Sequence, residues 1–259
     1  MKILVTGGAG SIGSELVRQL VKDNDVFVLD INETAMFDLV EELGIKGRVG
    51  DVRDPIVLEG QYDVICHAAA LKHVTPNEQE PIEAVKTNII GTHNVIQFAK
   101  RTGAKLINIS TDKVVLGESI MGLTKKIAEK MVRNAGYTSV RFGNVLGSRG
   151  AVIPIWQKQL DENRPITVTD GRMMRYMMTI PEAVELVIEA SKLPQGKIVI
   201  LDMGEPVNVL HLAQEILGKS GKDVGIKEIG MRPGETLTEE LMTPEERARA
   251  EKIGKFYVL

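Results

Sequence analysis

At 259 residues the chain is long enough for one large α/β domain with a small appended lobe, and folding would bury roughly 70–75% of its unfolded surface. The formal net charge of −3 gives no basic field for holding nucleic acid. No run of about 18 apolar residues is present to span a bilayer, and residues 1–6 are too short an apolar run for a signal peptide, so a cytoplasmic location is expected. Cys66 is the single cysteine, which excludes an intrachain disulfide. His67, His73, His93 and His211 lack a metal-ligand spacing, so no metal is expected.

Lys2–Thr6 is predicted as a strand, after which Ile12, Leu16, Val17 and Leu20 fall on one face of a helix. Asp25–Asp30 reads as the second strand and residues 35–43 as a helix; a third strand ends just before Asp51, and residues 63–67 form another. Residues 81–100 read as one long amphipathic helix, 104–110 as a strand, 121–134 as a helix and 137–142 as a strand. Strands alternating with helices imply right-handed crossovers, hence an α/β, Rossmann-like doubly wound parallel sheet. Beyond Asn144 the glycines Gly147 and Gly150 and the prolines Pro154, Pro165, Pro181, Pro194 and Pro206 punctuate shorter elements. We therefore expect a dinucleotide-binding core over residues 1–143, and over 144–259 a mixed segment that completes the sheet and forms a small C-terminal substrate-binding lobe. The charged stretch 239–252 reads as a solvated helical face. Trp156 suits either the lobe's core or a pocket wall.

The segment from Thr6 to Gly13, Thr-Gly-Gly-Ala-Gly-Ser-Ile-Gly, lies between a predicted strand and a predicted helix, the context a dinucleotide fingerprint requires. Gly7, Gly10 and Gly13 would give the tight turn and the close backbone approach, while Ser11 and Ile12 open a helix whose free N–H groups face a pyrophosphate. Asp30 ends the second strand, where a carboxylate accepts hydrogen bonds from the adenosine ribose, and there it would repel a 2′-phosphate. NAD is expected, with NADP the lesser alternative. Asp51 and Val52 follow the third strand and could reach the adenine, although a turn aspartate before Arg53-Asp54-Pro55 explains Asp51 equally well.

The strand over 104–110 leads into Ser110-Thr111-Asp112-Lys113, and the next helix carries Met121 and Lys125 four apart, on one face. In an open α/β sheet, ligands bind beyond the carboxyl ends of the strands, so this polar cluster would face the cofactor's reactive end. By spacing alone, an Asp beside a Lys in a loop is more often a surface pair.

The stretches TGGAGSIGSELVRQL, GDVRD, HAAALKHV, EAVKTNIIGTHNV, STDK, MGLTKKIAEK, RFGNVLGSRGAVIPI, LDMGEPV and RPGE give the chain a resemblance to the extended short-chain dehydrogenase/reductases, and among them to the UDP-N-acetylglucosamine 4,6-dehydratases of polysaccharide biosynthesis. The resemblance implies a reaction in three stages. NAD takes hydride from sugar C4, water is lost across C5 and C6, and the hydride returns to C6. It assigns Thr111, Asp112 (acid), Lys113 (base) and Lys125 to catalysis and puts Met121 where the superfamily has a tyrosine, as one subgroup of these dehydratases does. A thioether exchanges no proton, so the group that deprotonates the C4 hydroxyl is left open. In that subgroup the catalytic domain is usually fused to a membrane segment.

Along the same resemblance, Asn32, Ala68, Ala69, Ala70, Lys72 and Asn88 join the cofactor contacts, with Asn88 alternatively bracing the sheet edge. Lys72, His73, Asn144, Arg149, Val152, Arg175, Arg232 and Glu235 would meet the UDP-sugar, the arginines as forks for phosphate oxygens. Lys113 would have to be neutral and Asp112 protonated, so the two side chains are expected to point apart; Lys125 can stay charged. The superfamily's usual pairing through two long helices, here 81–100 and 121–134, implies a homodimer. An epimerase on the same scaffold, or a non-catalytic NAD(P)-binding protein suggested by Met121, are the competing readings.

Overall fold

The strand β1 (Lys2–Thr6) is buried at every residue after Lys2, as a strand covered on both faces must be. In this computed structural model, which describes residues 1–259, it runs through a glycine turn into α1 (Ser11–Leu20), whose buried face carries Gly13, Leu16 and Val17. Next come β2 (Asp25–Asp30) and α2 (Glu33–Leu43). The Asn32 side chain opens α2 by accepting the Ala35 N–H, and a left-handed Gly44 closes it. β3 (Lys46–Val49) and β4 (Val64–His67) follow.

After α3 (Val74–Gln79), the single helix expected over 81–100 is built in pieces: α4 (Pro81–Ala84), a π-helical segment Val85–Gly91, and α5 (Thr92–Thr102). Its widened turn contains Asn88, which bonds outside the helix, and is followed by Thr92, whose hydroxyl donates to the Asn88 carbonyl at 2.7 Å. Hydropathy periodicity registers neither departure. β5 (Lys105–Ile109), α6 (Ile120–Asn134) and β6 (Thr138–Arg141) complete the first half.

The second half begins with β7 (Asn144–Leu146), α7 (Val152–Asp161), β8 (Ile166–Val168), β9 (Met174–Arg175), β10 (Met177–Thr179) and α8 (Ile180–Ala190). It returns to the sheet as β11 (Ile198–Leu201), leaves through β12 (Val207–Asn208), α9 (Val209–Ser220), β13 (Ile226–Glu228) and α10 (Pro244–Arg249), and ends in the hairpin β14 (Glu251–Ile253) and β15 (Phe256–Val258). The nine-stranded sheet has the order β14-β15-β11-β6-β5-β4-β1-β2-β3, parallel from β11 to β3, with β15 antiparallel to both its neighbours. This is the Rossmann-like doubly wound α/β fold. Connections diverge between β1 and β4, so the ligand crevice of such a sheet opens at their carboxyl ends.

Alternate residues of one strand feed opposite layers. Ile3 and Val5 join Leu16 and Val17 of α1 and Ala183, Leu186 and Val187 of α8. Leu4 joins Val95, Phe98 and Ala99 of α5 and Val132 of α6. A third cluster, with Leu160, Ile166, Val168, Val209 and Ala213 around a fully buried Trp156, is the core of a lobe built by α7, β8 and α9. The Trp156 indole N–H donates to the Thr167 carbonyl at 2.7 Å. No helix is long and apolar enough to cross a membrane.

Candidate active site

The turn after β1 is shaped by glycines at two close approaches. Gly7 has φ 67°, and a Cβ there would lie 2.4 Å from the Ala69 backbone nitrogen; a Cβ on Gly13 would lie 2.1 Å from the Gly7 carbonyl oxygen. Side chains at either place would push α1 off the sheet. Gly10 caps α1 without a side-chain partner, which leaves the first N–H groups of Ser11, Ile12 and Gly13 at the cavity. Asp30, at the end of β2, accepts the Ala9 N–H on Oδ2 and the Asn32 N–H on Oδ1, both at 2.9 Å, so it holds the glycine turn in place.

A cavity of about 770 Å³ runs from this turn, across the ends of β4 and β5, into the lobe. Gly7, Gly10, Ser11, Ile12 and Gly13 line one end. Ala68, Ala70, Lys72 and His73 line a side wall, with Thr111, Asp112, Lys113, Met121 and Lys125 at the middle. Asn144, Val152, Arg175, Arg232 and Glu235 line the lobe side, and Arg149 lies against Ser11 near the turn.

Several expected cofactor residues lie outside that wall and have other tasks. The Asn32 side chain is spent on capping α2. Asp51 accepts the Arg53 backbone N–H at 2.9 Å and Nε–H at 2.6 Å, the turn reading of that residue. Val52 is 5% exposed in the core, and Ala69 offers its backbone to Gly7. The Asn88 side chain is corrected from a cofactor contact to a brace: Oδ1 accepts the Leu71 N–H at 2.8 Å, while Nδ2 donates to the Leu71 carbonyl at 3.0 Å and to Thr124 Oγ1 at 3.1 Å. With every polar atom used, it fixes the loop after β4 against α6.

β5 delivers its end to the cavity floor through a short 3-10 turn over Asp112–Val114, capped by Thr111. Asp112 is 1% exposed. Its Oδ1 accepts from the Thr111 hydroxyl at 3.0 Å and from Lys113 Nζ at 3.1 Å, while Oδ2 is buried without a partner. Burial, opposed by Lys113 and reinforced by the negative charge of Glu239, pushes the Asp112 carboxyl up to about 7. Lys113 Nζ also lies 2.8 Å from Glu239 Oε1 and donates to Asn144 Oδ1 at 3.1 Å. The expectation that Asp112 and Lys113 point apart, with the lysine neutralised, is therefore corrected. Burial lowers the Lys113 affinity for its proton, but Asp112 and Glu239 outweigh it and raise the ammonium above the ordinary lysine range.

Lys125 Nζ donates to the Ile109 carbonyl at 2.6 Å, and burial lowers it to about 8 against the pull of Glu129. One turn earlier on the same face, Met121 is 3% exposed and presents a thioether to the cavity. Of the arginines, Arg175 is not a free phosphate fork. Its Nη groups donate to the carbonyls of Met174 at 2.8 Å, Leu237 at 3.1 Å and Thr236 at 2.7 Å, and its Nε faces Glu239 at 3.2 Å. Arg232 is exposed at the mouth, where Glu235 accepts its backbone N–H at 2.8 Å. The Arg149 backbone N–H donates to Ser11 Oγ at 2.9 Å, closing the loop after β7 onto the start of α1. Lys72 is shifted down by burial and then by Arg149, and His73 by burial and then by Lys72, so this wall is electropositive. No group of acidic, His or Cys side chains converges as a metal site.

Two residues expected on a solvated face are drawn inward instead, Glu239 buried and Glu246 half-buried. Glu239 joins the cluster just described. Glu246 pairs with Arg141, which is 2% exposed and also bonds Glu129; Glu129 in turn accepts the Ser110 hydroxyl at 2.6 Å. The only hint in the sequence is the apolar company of Leu237, just before the charged run, and of Leu241 and Met242 inside it.

The polysaccharide biosynthesis protein family model matches residues 3–259. An uncharacterized membrane protein of Methanocaldococcus jannaschii is 44% identical, over 99% of this chain and 85% of its own length. The probable polysaccharide biosynthesis protein EpsC of Bacillus subtilis is 44% identical over 97% of this chain, which spans 46% of that longer protein. The crystal structure of Pen from Bacillus thuringiensis superposes with a TM-score of 0.96 at 35% identity, covering 99% of this chain and 88% of that one. A UDP-glucose 4-epimerase of Rickettsia bellii is 34% identical over 98% of this chain and 81% of its own length. With its fingerprint turn, its crevice and these relatives, the chain belongs to the polysaccharide biosynthesis protein family.

Proposed function

We propose that the chain removes water across C5 and C6 of a UDP-linked hexosamine, with UDP-N-acetylglucosamine the leading substrate, using NAD held at the glycine turn. The observation that carries this reading is the buried Asp112–Lys113 pair at the end of β5, where one carboxylate oxygen has no protein partner and the carboxyl tends to keep a proton near neutrality. The turn fits a dinucleotide because the cradle around Gly7 and Gly13 admits no Cβ. The negative charge of Asp30 beside it disfavours a 2′-phosphate and so favours NAD over NADP. NAD held by the Gly7–Gly13 turn would supply the hydride chemistry, oxidation at sugar C4 that acidifies the C5 proton and reduction at C6.

The rest falls to the chain's own side chains. Lys125, anchored on the Ile109 carbonyl, places positive charge where the C4 hydroxyl ionises. Lys113 takes the C5 proton, and Asp112 gives its proton to the departing C6 hydroxyl. Because the two are in contact, the working form arises by moving one proton from Lys113 to Asp112, which burial favours since it removes both charges. Met121 packs against the site and moves no proton. Lys72, Arg149 and Arg232 supply positive charge for the diphosphate. We further propose a homodimer that covers Ile82 and Val85 with Leu123 and Ile127, apolar side chains exposed on adjoining helices.

Purified protein incubated with NAD and UDP-N-acetylglucosamine, with the product weighed by mass spectrometry, tests the reaction. Loss of one water is expected. An isomer of unchanged mass would replace this reading with an epimerase, the activity named for the Rickettsia bellii relative, and untouched substrate would sink both. Asp30→Ala is expected to weaken NAD binding measured by calorimetry; equal affinity would mean the ribose is held elsewhere.

A further inference from the structure

Glu239 takes no part in the elimination set out above, yet it is 7% exposed and fully engaged. Oε1 lies 2.8 Å from Lys113 Nζ and 3.2 Å from Arg175 Nε, and Oε2 accepts the Asn144 Nδ2–H at 2.9 Å. A second buried carboxylate beside Asp112 is costly to desolvate, and Lys113 alone would already neutralise Asp112. We propose that Glu239 is a positioning residue of the catalytic cluster: it seats the Lys113 ammonium between itself, Asp112 and Asn144, and its fixed negative charge holds protons on the Asp112–Lys113 pair. This rests on the elimination reading for its chemical meaning. When Lys113 takes the C5 proton and becomes an ammonium, Glu239 is the preformed counter-charge that receives it, so no dipole has to reorient during the step.

The placement also joins binding to chemistry. Glu239 lies on the same segment as Arg232 and Glu235 at the cavity mouth, and Arg175 bonds the Thr236 and Leu237 carbonyls while facing Glu239. The segment that meets the nucleotide therefore also positions the base.

The charged or titratable groups facing Asp112 are Lys113, Glu239 and the Tyr176 hydroxyl, and those facing Glu239 are Lys113, Arg175 and Asp112. Burial alone would raise Glu239, but Lys113 and Arg175 hold it well below the ordinary carboxylate range, so it stays charged through neutral pH. Its negative charge raises both Asp112 and Lys113. Removing that charge must let both release protons at lower pH.

Glu239→Gln tests this with two readouts. The Asp112 carboxyl carbon, followed by NMR without substrate and assigned with Asp112→Asn, is expected to titrate at lower pH in the variant than in the wild type. Above both Asp112 midpoints, where the pair carries one proton in either protein, the variant's kcat for water loss is expected to fall about ten- to a hundredfold, the range of a lost charged hydrogen bond, with KM nearly unchanged. An unmoved Asp112 midpoint, or a loss confined to KM, overturns the proposal. Should the glutamine variant fail to fold, Glu239→Asp keeps the charge but falls short of Lys113; wild-type kcat in that variant overturns the seating. A wild-type enzyme that leaves the sugar intact sinks the elimination reading instead, and the Asp112 titration then still tests Glu239 by itself.

Discussion

Asp112 and Lys113 are neighbours that must exchange a proton between them before either can act. Their shared state carries one proton, and it gains a second as pH falls through the Asp112 value of about 7. With both protonated, Lys113 has no lone pair for the C5 proton, so water loss is expected to rise with pH across a midpoint near that value. A rate that instead falls as pH rises through neutrality would contradict this order of protonation. Lys113→Ala is expected to lower turnover about a hundred- to ten-thousandfold, the usual worth of a general base, while NAD binding by calorimetry stays unchanged because the glycine turn lies apart from Lys113. Wild-type turnover in that variant would remove Lys113 from the mechanism. Lys125 differs in its surroundings: burial lowers it to about 8 against the pull of Glu129, so it remains mainly cationic at neutral pH.

At the scale of elements, the loop after β4 is held by a side chain from a helix distant in sequence. Asn88 sits in the π-helical segment and closes both the Leu71 N–H and carbonyl, as well as Thr124 on α6. Asn88→Ala would leave the Leu71 N–H and Thr124 Oγ1 without this partner and the Leu71 carbonyl with only the longer Asn77 bond at 3.3 Å. It is expected to cost about 1–3 kcal/mol in denaturant unfolding and to weaken NAD binding indirectly, through Ala68 and Ala70. An unchanged unfolding midpoint would show that the loop holds itself. A helix of ordinary pitch would carry Asn88 to a different azimuth, which is why the regular apolar pattern over 81–100 conceals the brace.

Over the whole molecule, the C-terminal segment is locked to the sheet by charge. Arg141 at the end of β6 bonds Glu129 on α6, Glu246 on α10 and the Leu241 carbonyl at 2.9 Å. The guanidinium is thus shared between the helix that carries Lys125 and the segment that carries Glu239, so the two halves of the site keep a fixed spacing. On the opposite, outer side of α6, Leu123 and Ile127 are 43% and 45% exposed one turn apart, beside Ile82 at 62%. A homodimer through this face is expected to appear in light scattering, and Ile127→Glu is expected to yield monomers by burying a charge. A wild-type protein that scatters as a monomer would remove that interface.

The sequence by itself determined the parallel sheet, the glycine turn, Asp30 at the end of β2 and the place of Asp112 and Lys113 just beyond β5, because each follows from local periodicity or from a motif carried on adjacent residues. Hydropathy also marked Leu237, Leu241 and Met242 as apolar. Tertiary structure alone decided that Asp112 and Lys113 touch, that Arg175 is spent on carbonyls, that Glu239 is buried and that Glu246 pairs with Arg141. Those outcomes depend on which charge from a distant segment arrives in a water-poor space, and electrostatic partners more than a hundred residues apart, such as Arg141 and Glu246, leave no periodic trace in a chain.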